Sequence, residues 1–510
     1  MNNTFGQSRL GVDYSIPPFL LPPEALADAQ NIMPDSSGRP TGRKGSVKLN
    51  NTSLASRITS FHEFRSGSTA NSLVSYSTKV GVYSSATGEF VDRITGLTSN
   101  KMFQWVNFAG KAIGVNEGAN NPQYWTDASH VGDLAGSPPK GNSVAEWAHR
   151  VWFGGDSTDV AKITGSALLD PTDYTGSGTA DGAVEQVIGD SGDPITGIFG
   201  FFDILLIGKR NALYKLGGAP TTDVSGDSLY IKPVYTKSAD SVGFTSQWAI
   251  TQVGNDVIFL DGTDIKRLSG IQEFGDIETA SIIPHFKDYL ASIADPDYIQ
   301  YTQFFHYKKE QQIWVSIPTG AATHFVFVLS YKFKQETGRY AFYPMGGLTA
   351  NCFGGVLNGE TTDIYYGDNT GYVYQLDTGE NDNGTAIDRY FTSVIAGNTN
   401  EINIAHTFRK QFQTIESFIV PSEAALTMIP YYSLDLMDDA QVRTSGNYTA
   451  LTSETVTGWA GTGTKRKKIR LFGVSGKTIA IKWRHNTVAQ NFTYYQGDLN
   501  YDIRSKIDIV

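Results

Sequence analysis

The sequence predicts an all-β protein: a β-propeller of about six or seven blades, with an N-terminal arm before it and a C-terminal β-sandwich-like domain after it. Three observations point there. Short apolar runs recur in pairs across turn residues along most of the chain. The pairs return every roughly 40–55 residues, the length of one four-stranded blade. Glycine is abundant, 53 of 510 residues, and aromatics make up 12%, which suits many tight turns between aromatic-bearing strands. An irregular stack of β-sandwiches is the competing arrangement, and evenly spaced hairpins favour radial repetition over it.

The pattern is sharpest between Gly254 and Phe286. Val257 to Leu260 is a continuous apolar run, short enough for a strand buried on both faces. Asp261-Gly262 supplies a hairpin turn, because glycine accepts positive φ, and Ile265 to Leu268 returns. The period then changes. Ile283, Phe286, Leu290 and Ile293 recur at helical spacing, so a helix over Ile283–Ala294 is expected, inside a helical insertion near 277–294. Such an insertion suits packing on a rim or against a partner.

In chain order, residues 1–54 read as an extended arm rich in Pro and Gly. Glu24 to Gln30 is expected as a short helix, and Gly42-Arg43-Lys44-Gly45 as a turn. Residues 55–384 hold the propeller. Its hairpins are Leu73–Ser77 with Val80–Tyr83, Lys111–Val115 with Gln123–Trp125, and Arg150–Phe153 with Val160–Ile163. Further on come Ile204–Ile207 with Ala212–Leu216, Gln312–Ile317 with His324–Tyr331, and Asp363–Tyr366 with Tyr372–Leu376. Leu168 to Asp193 is polar and reads as a long surface loop. Glu380 to Gly384 reads as a linker. Residues 385–510 carry strands at Phe412–Val420, Ala425–Tyr432, Lys468–Phe472, Thr478–Trp483 and Asn491–Ile503, spaced as in a sandwich.

Composition narrows the function classes. The net charge is -10, against the basic surplus of a protein that grips nucleic acid over a broad surface. One cysteine, Cys352, excludes a disulfide framework and fits a reducing compartment. The N-terminus has no basic region and apolar core of a signal peptide, and no apolar stretch is long enough for a membrane span.

Candidate chemistry is sparse. Asp261 and Asp264 are paired carboxylates of the kind sugar hydrolysis uses, in a tight turn where Asp serves the backbone. His306 and His324 have no metal-ligand spacing, and Asp190 to Asp193 lacks a full calcium loop. Cys352 reads as a small core residue. Gly458 to Lys465 departs from a phosphate loop, because no Lys-Ser or Lys-Thr pair ends it. Lys465-Arg466-Lys467-Lys468 with Arg470 is the one basic cluster, read as a solvated strand edge that discourages aggregation rather than a phosphate site. Tyr301, Phe304, Phe305 and Tyr307 read as packing rather than a base-stacking platform. No catalytic, cofactor-binding or metal-ligating residue is assigned.

Several pieces together resemble the tail nozzle or tail-hub proteins of short-tailed bacteriophages, also called tail tubular protein B or DNA-stabilisation proteins. They are Leu21-Pro22-Pro23-Glu24, Gln30-Asn31 and Gly42-Arg43-Lys44-Gly45 in the arm. Asp170-Pro171-Thr172-Asp173-Tyr174, Ile195-Thr196-Gly197, Ile204 to Ile207 and Ala212 to Gly217 follow. Phe259-Leu260-Asp261-Gly262 with Ile265-Lys266-Arg267 is the closest match, and Tyr495 to Leu499 ends the series. The resemblance covers most of the chain, and its motifs are structural.

The resemblance implies a virion protein made in the host cytoplasm and placed in the tail. It would form a homohexameric ring whose channel retains and conducts double-stranded DNA. Its partners would be a head-to-tail adaptor and fibre or spike proteins. Six copies at -10 each carry about -60, which lets DNA pass without sticking. The arm, the helix near Ile283 and the sandwich are the expected contacts with neighbours. The alternative is a propeller adaptor that binds host glycans or attaches fibres. A glycosidase propeller, with Asp261 among its candidates, is the third reading.

Overall fold

The computed structural model describes residues 2–67, 69–175, 182–217, 220–222, 229–231, 234–269, 279–395, 408–422, 425–459, 461 and 463–505. Seven sheets form the blades of a propeller. Blades 1 to 5 span 58–94, 104–133, 143–187, 195–240 and 250–281, each a four-stranded antiparallel meander. Blade 6 spans 303–345 and blade 7 spans 352–376. The expected hairpins pair as read, except that the partner of Arg150–Gly154 is Lys162–Gly165 rather than Val160–Ile163. The first strand of blade 7, Cys352–Asn358, packs against that of blade 1, Ile58–Ser66, and closes the ring.

Blade strands are apolar on both faces because each face meets another blade. Val257, Phe259 and Leu268 pack with Leu206 and Leu213 of blade 4. Ile258, Leu260 and Ile265 turn the other way, to Phe304, Ile313 and Val315 of blade 6. The continuous run Val257–Leu260 therefore satisfies a period of two twice over.

The C-terminal part is a sandwich of two sheets. Arg409–Pro421 lies between Lys465–Arg470 and Phe492–Ser505 in one; Ile479–His485 lies between Arg389–Ile395 and Leu426–Leu434 in the other. Ile415, Ile419, Met428, Ile481, Trp483 and Tyr494 are buried between them. The same apolar cluster runs on through Val12, Phe286 and Phe342 into blade 6, so propeller and sandwich share one core.

The extended arm expected over residues 1–54 is not a free segment. It is stitched strand by strand into both domains. Gly11-Val12 and Ala25-Leu26 extend blade 6 to six strands. Ser46–Lys48 supplies the outer strand of blade 7, so the chain's beginning closes its propeller. Asn2–Phe5, Ile32–Pro34 and Pro40–Gly42 join one sandwich sheet and Asp28–Gln30 the other. The helix expected at Glu24–Gln30 is thus two short strands. Its Ala and Leu favour helix by well under 1 kcal/mol each, less than sheet pairing and burial in two domains supply.

Three further expectations change. The helix runs Lys287–Ile293, not from Ile283; Ile283 and Phe286 are buried ahead of it, and Phe286 stacks on Phe342 at 3.9 Å. Residues 277–278 of the expected insertion lie outside the described residues. The helix buries Leu290 against its own chain and leaves Lys287, Asp288, Ala291 and Ser292 exposed. Within the expected loop Leu168–Asp193, Val184–Val187 is the outer strand of blade 3, and 176–181 lie outside the described residues.

Candidate functional site at the arm buckle and the propeller axis

The motif Gly42-Arg43-Lys44-Gly45 sits where blade 7, the arm and the sandwich meet. Arg43 is buried and grips Asp382, with Nη1 to Oδ1 at 2.9 Å and Nη2 to Oδ2 at 2.5 Å. Its Nε donates to Asn31 Oδ1 at 2.7 Å, and its remaining donors reach the Lys44 and Gly346 carbonyls. This is the bidentate geometry that a guanidinium makes and an ammonium does not. Both glycines are required by close approach. A Cβ on Gly45 would overlap the Asn381 carbonyl oxygen, and one on Gly42 would overlap the Asn491 and Arg389 side chains.

Arg389 backs this buckle. It is fully buried and donates to the carbonyls of Arg43, Glu380 and Gln490. Burial, then the adjacent Arg43 charge, pushes its pKa down to about 10. Asn31 adopts φ 57, a left-handed conformation that Asn tolerates, while its side chain also accepts from Gly346 N–H and donates to the Asp388 carbonyl. Glu380 to Gly384, expected as a linker, is instead fastened to the arm by Asp382, which also accepts from the Ser46 hydroxyl at 3.0 Å.

Two clefts flank the buckle. One, of about 450 Å3, is lined by Asp35, Lys44, Tyr307, Trp314, Asp377 and Phe492. The other, of about 420 Å3, is lined by Lys48, Tyr366, Asp368, Tyr374, Asp382 and Asp388. Their carboxylates are already engaged. Asp377 accepts from Tyr307 Oη at 2.8 Å and faces Lys44 at 3.7 Å, and Asp368 caps its own turn through Thr370 and Tyr372.

Side-chain contacts join the inner strands of neighbouring blades. His62 Nε2 meets Asn107 Oδ1 at 2.9 Å, joining blades 1 and 2. Gln104 accepts from Val144 N–H at 3.0 Å, joining blades 2 and 3. Arg65 donates to the Leu357 carbonyl, and Glu63 accepts from Leu357 N–H, joining blades 1 and 7. Sheets pack about 10 Å apart, so seven inner strands trace a circle roughly 22 Å across, backbone to backbone. Side chains reaching about 6 Å from each wall narrow that circle to roughly 10 Å.

The remaining sequence candidates are held in structural contacts. Asp261 pairs with Lys266 at 2.6 Å and accepts from Gly243 N–H. Asp264 is buried and accepts from Ser281 and from Lys287 at 2.8 Å. His306 bonds Tyr331 Oη at 2.8 Å. Burial drives His324 down to about 4, helped by Arg57, and drives the Cys352 thiol up to about 12, away from nucleophilic reach. Asp190 caps its own turn through Gly192 N–H, and its carbonyl accepts from Lys209 Nζ. Gly458 lies in the strand Val456–Trp459, and both it and Gly461 have positive φ, with 460 and 462 outside the described residues. Phe304 and Tyr307 are buried, and Tyr301 lies 6.1 Å from the Trp248 ring. Among the described residues no cluster of three His, Cys, Asp or Glu side chains could hold a metal ion.

Lys465–Arg470 is the end strand of its sheet, as expected of a solvated edge. Glu416 holds Arg466 at 2.5 Å and Lys468 at 3.2 Å; Glu454 holds Lys467 at 3.1 Å.

Sequence reasoning missed a buried polar group under the arm. Asp28 accepts from Tyr14 Oη at 3.1 Å and lies 3.9 Å from Lys482. Burial raises its pKa to about 6, against the pull of Lys482. The available signal was a lone charge in the run Ala25-Leu26-Ala27-Asp28-Ala29. Among the described residues no helix is long and apolar enough to cross a membrane.

No protein-family model and no curated protein matches the chain. Solved structures that resemble it include virginiamycin B lyase from Staphylococcus aureus, 14% identical, covering 65% of this chain and 97% of that one, with a TM-score of 0.40. Another is the Cps50 (Swd1) β-propeller domain of Myceliophteria thermophila, 11% identical, covering 66% of this chain and all of that domain, with a TM-score of 0.40. At these values the likeness assigns no activity.

Proposed function

We propose that this chain is a structural protein of a short-tailed phage tail, a nozzle that closes the tail after packaging and conducts DNA during ejection. The observation that carries the reading is the arm buckle. Gln30-Asn31 and Gly42-Arg43-Lys44-Gly45, which carry the resemblance to tail nozzle proteins, all serve one fastening of arm, propeller and sandwich. A chain fastened at three points by a buried bidentate pair suits a part that holds against internal pressure. A propeller axis of roughly 10 Å favours a DNA passage between copies, at the centre of a ring, over one inside a single propeller. Such a ring is cyclic with heterologous contacts, since that geometry leaves a central opening. The test is deletion of the gene. Particles should package DNA and then lose it, and particles that retain DNA and infect normally would refute the reading.

A second reading has one specific observation behind it. The larger cleft is bordered by the rings of Tyr307, Trp314 and Phe492, and its acids Asp35 and Asp377, though engaged within the chain, keep further acceptor capacity toward sugar hydroxyls. Binding of the purified chain to host polysaccharide, lost on Trp314→Ala and kept on Trp105→Ala, would favour an adaptor that recognises glycans.

A further inference from the structure

We infer that copies of this chain meet head to tail, the Phe472 tip of one sandwich seating on the blade 3–4 face of the next copy's propeller. The inference rests on the ring reading above and supplies its interface.

The first observation is a division of charge. Residues 389–510 carry 14 Lys and Arg against 10 Asp and Glu, a net of +4. Residues 1–388 carry 27 against 41, a net of -14. A monomer with its charge divided this way is complementary to another copy of itself, head against tail.

The second is the tip. Phe472 is 84% exposed, the largest exposure of any large apolar side chain among the described residues. It sits in the turn that ends the basic strand, ahead of Gly473 at φ 72. Lys465 and Arg470 on that strand have no acidic partner within ion-pair distance among the described residues. A half-neutralised basic strand ending in an exposed ring fits an acidic protein surface with an apolar centre better than it fits a polyanion.

The third is the receiving surface. Leu169, in the turn that follows the third strand of blade 3, and Phe202, in the turn between the first two strands of blade 4, are each 63% exposed. Leu169 N–H bonds the His149 carbonyl in the turn of blade 3, and Phe202 occupies the corresponding turn of blade 4. Both have left-handed backbones, φ 60 and φ 47, which cost bulky residues about 1–3 kcal/mol and cluster where a surface is used. Exposed Glu146, Asp170 and Asp203 belong to the same two blades. These two blades thus expose large apolar side chains together with carboxylates, the inverse of the tip.

Cysteine pairing tests this directly, because Cys352 is buried and leaves the full chain with no competing surface thiol. A Phe472→Cys chain is mixed with a Phe202→Cys or a Leu169→Cys chain under mild oxidation. Leu20→Cys, also at an exposed site, serves as the control. Disulfide-linked pairs should form at least about tenfold above the control, since docking raises the effective concentration of the two thiols. Arg470→Glu should reduce the yield and Asp203→Arg in the second chain should restore it. A yield equal to the control, or no linked pair, overturns the inference. Native mass spectrometry of the same samples separates it from the ring reading. Six-copy assemblies without the link would sink this interface and leave the ring; linked pairs that never close into a ring would do the reverse.

Discussion

Replacing Arg43 with Ala removes the buckle while leaving every strand in place. The guanidinium makes two bonds to Asp382, one to Asn31 and two to backbone carbonyls. Without it, Asn31 Oδ1 keeps its bond from Gly346 and Asp382 keeps Ser46, so the cost falls mainly on an unpaired carboxylate. Removing one member of a buried pair costs about 3–5 kcal/mol, and the partial exposure of the Asp382 side chain, 18%, places this case near 3. The assay is denaturant unfolding followed by tryptophan fluorescence, reading the first transition, because a chain with two domains need not unfold in one step. Arg43→Lys should recover less than half of the loss, since an ammonium cannot make the two-pronged contact. A loss below about 1 kcal/mol, the scale of an exposed ion pair, would refute the reasoning.

Gly45→Ala should cost about 1–3 kcal/mol through overlap with the Asn381 carbonyl. It should speed amide exchange in Tyr374–Leu376, the partners of Ser46–Lys48, without affecting blade 3, and uniform exchange would contradict it. Cys352, buried with its thiol pushed up to about 12, should ignore an aromatic disulfide reagent at pH 8 until the chain is unfolded. Reaction at native stoichiometry would place it at the surface. The folded chain holds His285 and His324 at about 4, below their ordinary 6.5. Between pH 6.5 and 4 the unfolded chain binds protons that the folded chain refuses, so their contribution is full above pH 6.5 and is lost as pH falls toward 4. Asp28, raised to about 6, acts in the opposite sense over the lower part of that window. His324→Gln should therefore flatten the loss of stability on acidification, and an unchanged pH profile would count against it.

The blades were legible because each strand feels two neighbours. Val257–Leu260 is apolar at every position, and the turn at Gly262 is short enough to fix its partner. The sandwich strand Arg409–Pro421 was legible for the opposite reason, since burial alternates along it with Phe412, Ile415 and Ile419 inside. The arm was not. Ser46-Val47-Lys48 is three residues long, mostly polar, and becomes the outer strand of blade 7 only because Tyr374–Leu376 offers an open edge. Ala25 to Ala29 carries helix-forming side chains, and its backbone hydrogen bonds are spent on two other sheets. The buckle was half visible. Gly42 and Gly45 announced a tight place, but nothing near Arg43 indicates a carboxylate 339 residues away. Asp382 lies in a polar stretch whose composition reads as a linker.

The central claim is a ring of six copies with the DNA passage between them. Quantitative mass spectrometry of purified phage particles, with the capsid protein as internal standard, measures the copy number of this chain. The account predicts six per particle. Three, a number incompatible with six-fold symmetry, or absence from the particle would contradict it and turn attention to the aromatic cleft beside the buckle.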